Sequence, residues 1–266
     1  MVKHRLALIG LIIVLVMTAA AALSPYVSPY DPSELDLAGN LSGPTFSHLL
    51  GQDKLGRDIL SRILYGAQVS VKVGVVVVGI SLSVGLLIGS LSGYAGGWID
   101  EIIMRIIDIL QAFPGILLAI AMTAVLGPSL NHVILALCLT GWVGYARLIR
   151  GQILTVRERE YVQAARAIGA SPFRILSRHI LPNTLAPMIV EATFGMAGAI
   201  LAEAGLSFLG LGTQPPTPSW GSMLNEGSHF MLVAPHLTIF PGLAIMLVVM
   251  GFNFLGDGLR DWMDVK

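Results

Sequence analysis

Charge is scarce in this chain. Only 12% of its 266 residues are Asp, Glu, Lys or Arg, against about 25% in a soluble domain. That excludes the mixed charged surface of an ordinary soluble protein. Cysteine is scarcer: Cys138 stands alone inside an apolar run, so no disulfide can close within the chain, and no Cys/His pattern has the spacing of a zinc site. None of the lysines follows a glycine. The phosphate-cradling G-x-x-x-x-G-K-[ST] loop of an ATPase is therefore absent. No Ser/His/Asp nucleophile elbow and no H-E-x-x-H occur either. The residues point away from an enzyme, and no metal or cofactor is expected on the chain itself. No nucleic-acid partner is expected.

What the chain has in abundance is oil: 55% of its residues are hydrophobic. A bilayer core takes about 20 apolar residues per helix. Six candidate spans meet that length, at about 6–23, 69–94, 102–126, 130–149, 184–211 and 232–255. The expectation is an all-α membrane protein of about six transmembrane helices. Pro114 falls inside the third span and Pro187 inside the fifth. Membrane helices tolerate proline where neighbours satisfy the freed carbonyl. Residues 1–23 read as an N-terminal anchor, 24–68 as an external segment, and 69–266 as the body of the membrane domain. A cleaved signal peptide is the other reading of the first span, with "TAAAAL" as its small-residue site. "SPYVSPYDPSELD" at the start of the external segment has the composition of turns and extended chain.

The zero net charge hides an asymmetry. With six spans, both termini share one side. That side collects Lys3, Arg5, Lys266 and the nine arginines from Arg105 to Arg260, while Lys54, Arg57, Arg62 and Lys72 fall on the other. By the positive-inside rule the termini are cytoplasmic.

The cytoplasmic side carries one charged insert, "EYVQAARAIGASPFRILSRHILPN", within a loop at about 151–182. Thr155 followed by Glu158 predicts a capping box. Tyr161, Ala164, Ala165 and Ile168 share one helical face. Gly169 predicts a left-handed stop. Ser171 and Pro172 predict a restart with serine as N-cap and proline at the first helical position. Pro182 predicts the end of the second helix. A face built on alanine lets another surface come close, which suits docking into a protein groove. The other reading is an amphipathic helix on anionic lipid.

Four further features carry expectations. Gly85, Gly89 and Gly93 form a stripe where another helix can approach. Asp100 and Glu101 suit a helix N-terminus, and Arg105 sits one turn beyond Glu101, placed for an ion pair. Glu191 and Glu203 lie in the fifth span, where a carboxylate should not face lipid. Glu191 is read as reaching cytoplasmic water, and Glu203 as a candidate for the solute path, a partner contact or protonation. Trp220 in "GTQPPTPSWG" is read as a membrane-interface anchor or as part of an external contact.

"QAARAIGASPFRILSRHILPN" resembles the EAA motif of the permease subunits of bacterial ABC importers, matching at Gln163, Ala164, Ala165, Gly169, Leu181 and Pro182. Gln163 departs from the glutamate usual there. "GQDKLGRDILSRILYGAQVS", "AEAGLSFLGLGTQPPTPSWGSML" and "NFLGDGLRDWMD" are similar to the C-type permeases of dipeptide, oligopeptide and nickel importers. These blocks run from Gly51 to Asp264; the first fifty residues carry little of the resemblance. It implies the type I importer permease fold, in the bacterial inner membrane, and half of a pore shared with a second homologous permease. It also implies two cytoplasmic ATPase subunits holding ATP and Mg, and an external solute-binding protein. The coupling helix is then built from Gln163, Ala164, Ala165, Ile168, Gly169, Ala170, Ser171 and Pro172, and the cargo is a di- or oligopeptide, with nickel the alternative. Replacing Gly169 by Asp or Ala165 by Arg is expected to spare membrane insertion and abolish ATPase association. A stand-alone secondary transporter using Glu203 as its proton site is the competing class.

Overall fold

The structure, a computed structural model, describes residues 2–264, with side chains from Arg5 to Met263. Lys266 and the Lys3 side chain of the charge count lie outside the described residues. Ten α-helices follow in order: α1 (Val2–Val27), α2 (Ile59–Ala95), α3 (Gly97–Ala112), α4 (Gly115–Leu126), α5 (Leu130–Val156), α6 (Glu160–Ala167), α7 (Pro172–Ile175), α8 (Leu181–Phe208), α9 (Trp220–Ser228) and α10 (His236–Asp264). Among the described residues five helices are long and apolar enough to span a bilayer, and α3 with α4 makes a sixth, bent span. Large apolar side chains such as Leu15, Leu87, Leu117 and Val125 stand exposed. That is the surface a helix needs when its solvent is lipid.

The bend corrects the reading of residues 102–126 as one helix that tolerates its proline. Helices α3 and α4 meet at 77°. Pro114 disfavours the α region for the residue before it, and Phe113 is extended at φ −90°, ψ 131°. Pro187, by contrast, lies within a continuous α8.

Helix α2 is the central strut, packing on α5, α8 and α1. Its glycine stripe is the seam with α5. A Cβ on Gly85 would come within 2.5 Å of the Tyr145 Cβ, and one on Gly89 within 2.5 Å of the Ala146 carbonyl oxygen. Helix α1 lies along α10 in the same way, Gly10 against Gly251 and Ala7 against Gly258.

The segment between α1 and α2, read above as external, is shorter and more ordered than its composition suggests. Helix α1 runs through Pro25 to Val27, and α2 begins at Ile59 rather than near Val69. Between them "GQDKLGRD" folds as a tight turn. The Asp53 carboxylate accepts from the Leu55 and Arg57 amides and from Arg57 Nε at 2.6 Å. Asp58 caps α2, accepting from the Ser61 amide at 2.8 Å and pairing with His48 Nδ1 at 2.9 Å. Gly56 has φ +73°, and a Cβ there would overlap the Asp36 carbonyl. Arg57 also reaches Glu226 of α9 at 2.6 Å. Arg62, 2% exposed, lies between Asp53 and Glu226 at 3.5 Å from each. These arginines, counted by charge as outer-side residues, are spent on tying the start of α2 to α9.

Trp220 is a correction. It is fully buried, not an interface anchor: its indole lies against Gly66 and Nε1 donates to the Ile63 carbonyl at 3.0 Å. The missing Cβ at Gly66 makes room for the ring, and the Ser219–Ser222 capping box fixes the helix that carries it. Trp220→Ala is expected to cost about 3–5 kcal/mol, the usual loss for emptying an aromatic core site. Thermal unfolding of the detergent-solubilised protein measures it, and an unchanged midpoint contradicts the assignment.

Candidate functional site: the loop between α5 and α8

The loop starts later than the capping box predicts. Thr155 stays inside α5, its hydroxyl donating to the Gly151 carbonyl at 3.1 Å. The N-cap of α6 is Arg159, without a side-chain cap bond. Thr155 cannot cap because α5 continues through it to Val156. Gln163 Nε2 donates instead to the Glu158 carbonyl at 3.2 Å and braces the turn.

The end of α6 is a Schellman motif. Gly169 has φ +80°. Its amide donates to Arg166 O and the Ala170 amide to Ala165 O, each at 3.0 Å. Ser171 then caps α7, accepting from the Arg174 amide at 3.4 Å, with Pro172 in the first turn. Pro182 does not end this second helix. The chain passes through a π turn at Leu176–Ile180 straight into α8, so Pro172–Phe208 is one continuous span. Pro182 has no amide to give Arg178, and its ring crowds that carbonyl. The wider turn absorbs the conflict: the Leu181 amide donates five residues back to Leu176 O, and Asn183 Nδ2 takes the His179 carbonyl at 2.7 Å.

The loop's inner face is welded to the spans. Val162, Ala165, Ile175 and Ile180 form one cluster with Ile149 and Ile153 of α5 and Met188 of α8. The expected face of Tyr161, Ala164, Ala165 and Ile168 is therefore split. Ala165 is 7% exposed and turned inward. Tyr161, Ala164 and Ile168 turn outward, as does Phe173 of α7; Ile168 is 85% and Phe173 79% exposed. Both sides of this two-sided helix are apolar, so its periodicity alone does not say which side packs on the chain. Exposed Arg159, Arg166, Arg174 and Arg178 frame the outward knob.

Helix α5, which leads into the loop, is tied to the third span. Arg150 grips Asp100 with Nε at 2.5 Å and Nη2 at 2.6 Å, the Ser92 hydroxyl donates to the same carboxylate, and Arg147 pairs with Asp108 at 2.6 Å. The expected Glu101–Arg105 pair is not formed; the ion pairs run from α3 to α5 instead. Both partners are set on rigid helices, and the bidentate fork of Arg150 fits a carboxylate better than a neighbour along one helix does.

Glu203 is fully buried in α8, with Oε1 accepting from the Ser207 hydroxyl at 2.6 Å. It does not line the membrane cavity between α2, α5 and α8, whereas Glu191 does. No group of three or more potential metal ligands exists among the described residues.

Among the described residues, five apolar spans, a sixth bent at a proline, and a rigid loop rooted in α5 and α8 define a multi-pass helical membrane protein. The comparisons give that class its family. Residues 85–266 match the model of the binding-protein-dependent transport system inner membrane component. Residues 1–44 match the N-terminal TM domain of oligopeptide transport permease C, so the first fifty residues carry a resemblance that their short motifs did not reveal. The dipeptide transport system permease protein of Alkalihalophilus pseudofirmus is 47% identical over 264 residues, 99% of this chain and 87% of the relative. The glutathione transport system permease protein of Escherichia coli is 47% identical over 265 residues, 99% of this chain and 88% of the relative. An inward-facing structure of the MetNI methionine ABC transporter shares the fold, with a TM-score of 0.59 at 19% identity, covering 78% of this chain and 96% of the other.

The chain belongs to the binding-protein-dependent transport system inner membrane component family. It is an inner-membrane permease of an ABC importer, with the type I permease fold, and its family implies an ATPase and a binding protein as partners. A stand-alone secondary transporter is set aside by that membership.

Proposed function

We propose that this chain forms half of the path by which an ABC importer takes up di- or oligopeptides. The observation that carries the cargo is that relatives at 47% identity over nearly the whole chain are named for dipeptide and glutathione transport, two short peptides. A second homologous permease supplies the other half, and an external binding protein delivers the peptide. Two cytoplasmic ATPase subunits hold ATP and Mg and do the hydrolysis. The termini and the α5–α8 loop face the cytoplasm, and α1 is retained as an anchor, since its glycine contact with α10 is part of the packed fold.

In this reading the loop is the coupling element, and its residues divide the work. Ala164 and Ile168, with Tyr161 and Phe173, meet the ATPase. Gln163 braces the entry turn. Ala165 seats the helix on its own chain, while Gly169, Ala170, Ser171 and Pro172 set the bend between α6 and α7. Because α7 runs without interruption into α8, a push on the knob moves a whole span. ATP-driven closure of the ATPase pair thereby tilts α8 and α5 and switches the pore between inward- and outward-facing forms. Mass spectrometry of the purified complex, paired with labelled dipeptide uptake in cells lacking this chain, tests it. Expected are an ATPase and a second permease in the complex, and uptake restored by the chain. A complex without an ATPase refutes the coupling, and uptake indifferent to the chain refutes the cargo.

A further inference from the structure

A cavity of about 260 Å³ lies on one flank of the bundle between α2, α5 and α8. Its volume falls just under the roughly 300 Å³ at which small-ligand pockets begin, as expected of one wall of a site that a second subunit closes. Gly141, Gly144, Gly195 and Gly198 keep the wall shallow, and four polar side chains share it: Ser81, Thr140, Tyr145 and Glu191.

Ser81, Tyr145 and Glu191 each lack a hydrogen-bond partner among the described residues. Tyr145 is 7% exposed, and its hydroxyl, lying over Gly195, makes no hydrogen bond; nor does the buried Ser81 hydroxyl over Gly141. Buried hydroxyls are normally satisfied, so two orphans in one cavity mark a place where polar atoms arrive from elsewhere. Glu191 is exposed in the isolated chain and has no hydrogen bond or ion pair among the described residues. It stands ten residues beyond Leu181, about 15 Å along the helix, where α8 lines the cavity. An ionisable group within a membrane span faces a partner, water or a polar path rather than lipid. Its lining neighbours are otherwise uncharged, so what it attracts is a cation.

We propose that Glu191 receives the α-ammonium of a peptide in transit, on a cavity wall whose buried Tyr145 and Ser81 hydroxyls are left unpaired. The inference rests on the peptide reading above and names the residues of this subunit's half of the path. A carboxylate suits an ammonium as a charge-assisted partner. The glycines admit the peptide backbone closely without selecting its side chains.

The test uses the complete transporter, with both permeases, the ATPases and the binding protein, reconstituted in vesicles. The probe is L-alanyl-L-alanine. Glu191→Gln is expected to lower ATP-driven uptake about tenfold with subunit content unchanged, and Glu191→Asp to recover most of it. In a Cys138→Ala background, which removes the natural thiol, Glu191→Cys is expected to react with a membrane-impermeant cationic thiol reagent and to be protected by the dipeptide. Wild-type uptake in Glu191→Gln overturns the proposal, as does an unreactive Glu191→Cys. Loss of the second permease from Glu191→Gln also overturns it, by showing an intersubunit ion pair. A wild-type complex that imports no dipeptide overturns the peptide reading and this inference together; one that imports it, beside an unchanged Glu191→Gln, overturns this inference alone.

Discussion

Replacing Ile168 and Phe173 together by aspartate is expected to strip the ATPase from the permease while leaving the permease folded in the membrane. Both side chains stand almost fully exposed in the chain, and nothing in the fold depends on them. If a partner covers them, each contributes about 1.5–3 kcal/mol of apolar burial. Losing both removes about 3 kcal/mol or more, which is over a hundredfold in affinity. Two buried carboxylates worsen the loss. Co-purification of the ATPase and dipeptide uptake both report it, and thermal stability of the permease alone should not move. An ATPase that remains at full stoichiometry would sink the coupling assignment. The pair separates docking from folding better than Ala165→Arg does. Ala165 is packed into the cluster with Ile149 and Ile175, so arginine there disrupts the loop itself. Gly169→Asp is similarly mixed, since it strains a residue at φ +80°.

Gly89→Leu is expected to destabilise the bundle by forcing two spans apart. A Cβ at this position would sit 2.5 Å from the Ala146 carbonyl oxygen and 3.0 Å from its Cα. Those are backbone atoms of a neighbouring span and cannot rotate away, so α2 and α5 must part. Overpacking costs about 1–3 kcal/mol and occasionally more. Here the upper end applies, because separation also opens the seam at Gly85 and Gly93. Gly79→Ala is the control: nothing lies within 4 Å of its added Cβ, and alanine gains about 1 kcal/mol of helix propensity. Thermal midpoints in detergent should fall sharply for Gly89→Leu and hold or rise for Gly79→Ala. Equal midpoints would mean that the stripe is not the seam.

Much of the loop was legible because its signals are local. Gly169 as a left-handed stop and Ser171-Pro172 as a restart depend on a few consecutive residues, and both stand in the fold. Thr155 and Pro182 misled for a common reason. Each is a sound terminus signal for an isolated helix, but here neighbouring spans hold the chain helical through it. At Thr155 the packing of Ile153 and Val156 carries α5 onward. At Pro182 a π turn costs less than unpicking the contacts of Ile180 and Met188.

The sequence by itself determined how many times the chain can cross a bilayer, because apolar length and the scarcity of charge are properties of each segment alone. It also determined which side should be positive and where the inner loop bends. Only the tertiary structure decided which faces are spent inside the chain. Ala165 turns in while Ile168 turns out, Trp220 leaves the interface for a slot at Gly66, and Asp100 finds Arg150 rather than a neighbour on its own helix. The same contacts separate Glu203, buried against Ser207, from Glu191, which opens on the cavity. Those outcomes depend on which helices meet, and a pairing between residues fifty positions apart leaves no trace in the periodicity of either segment.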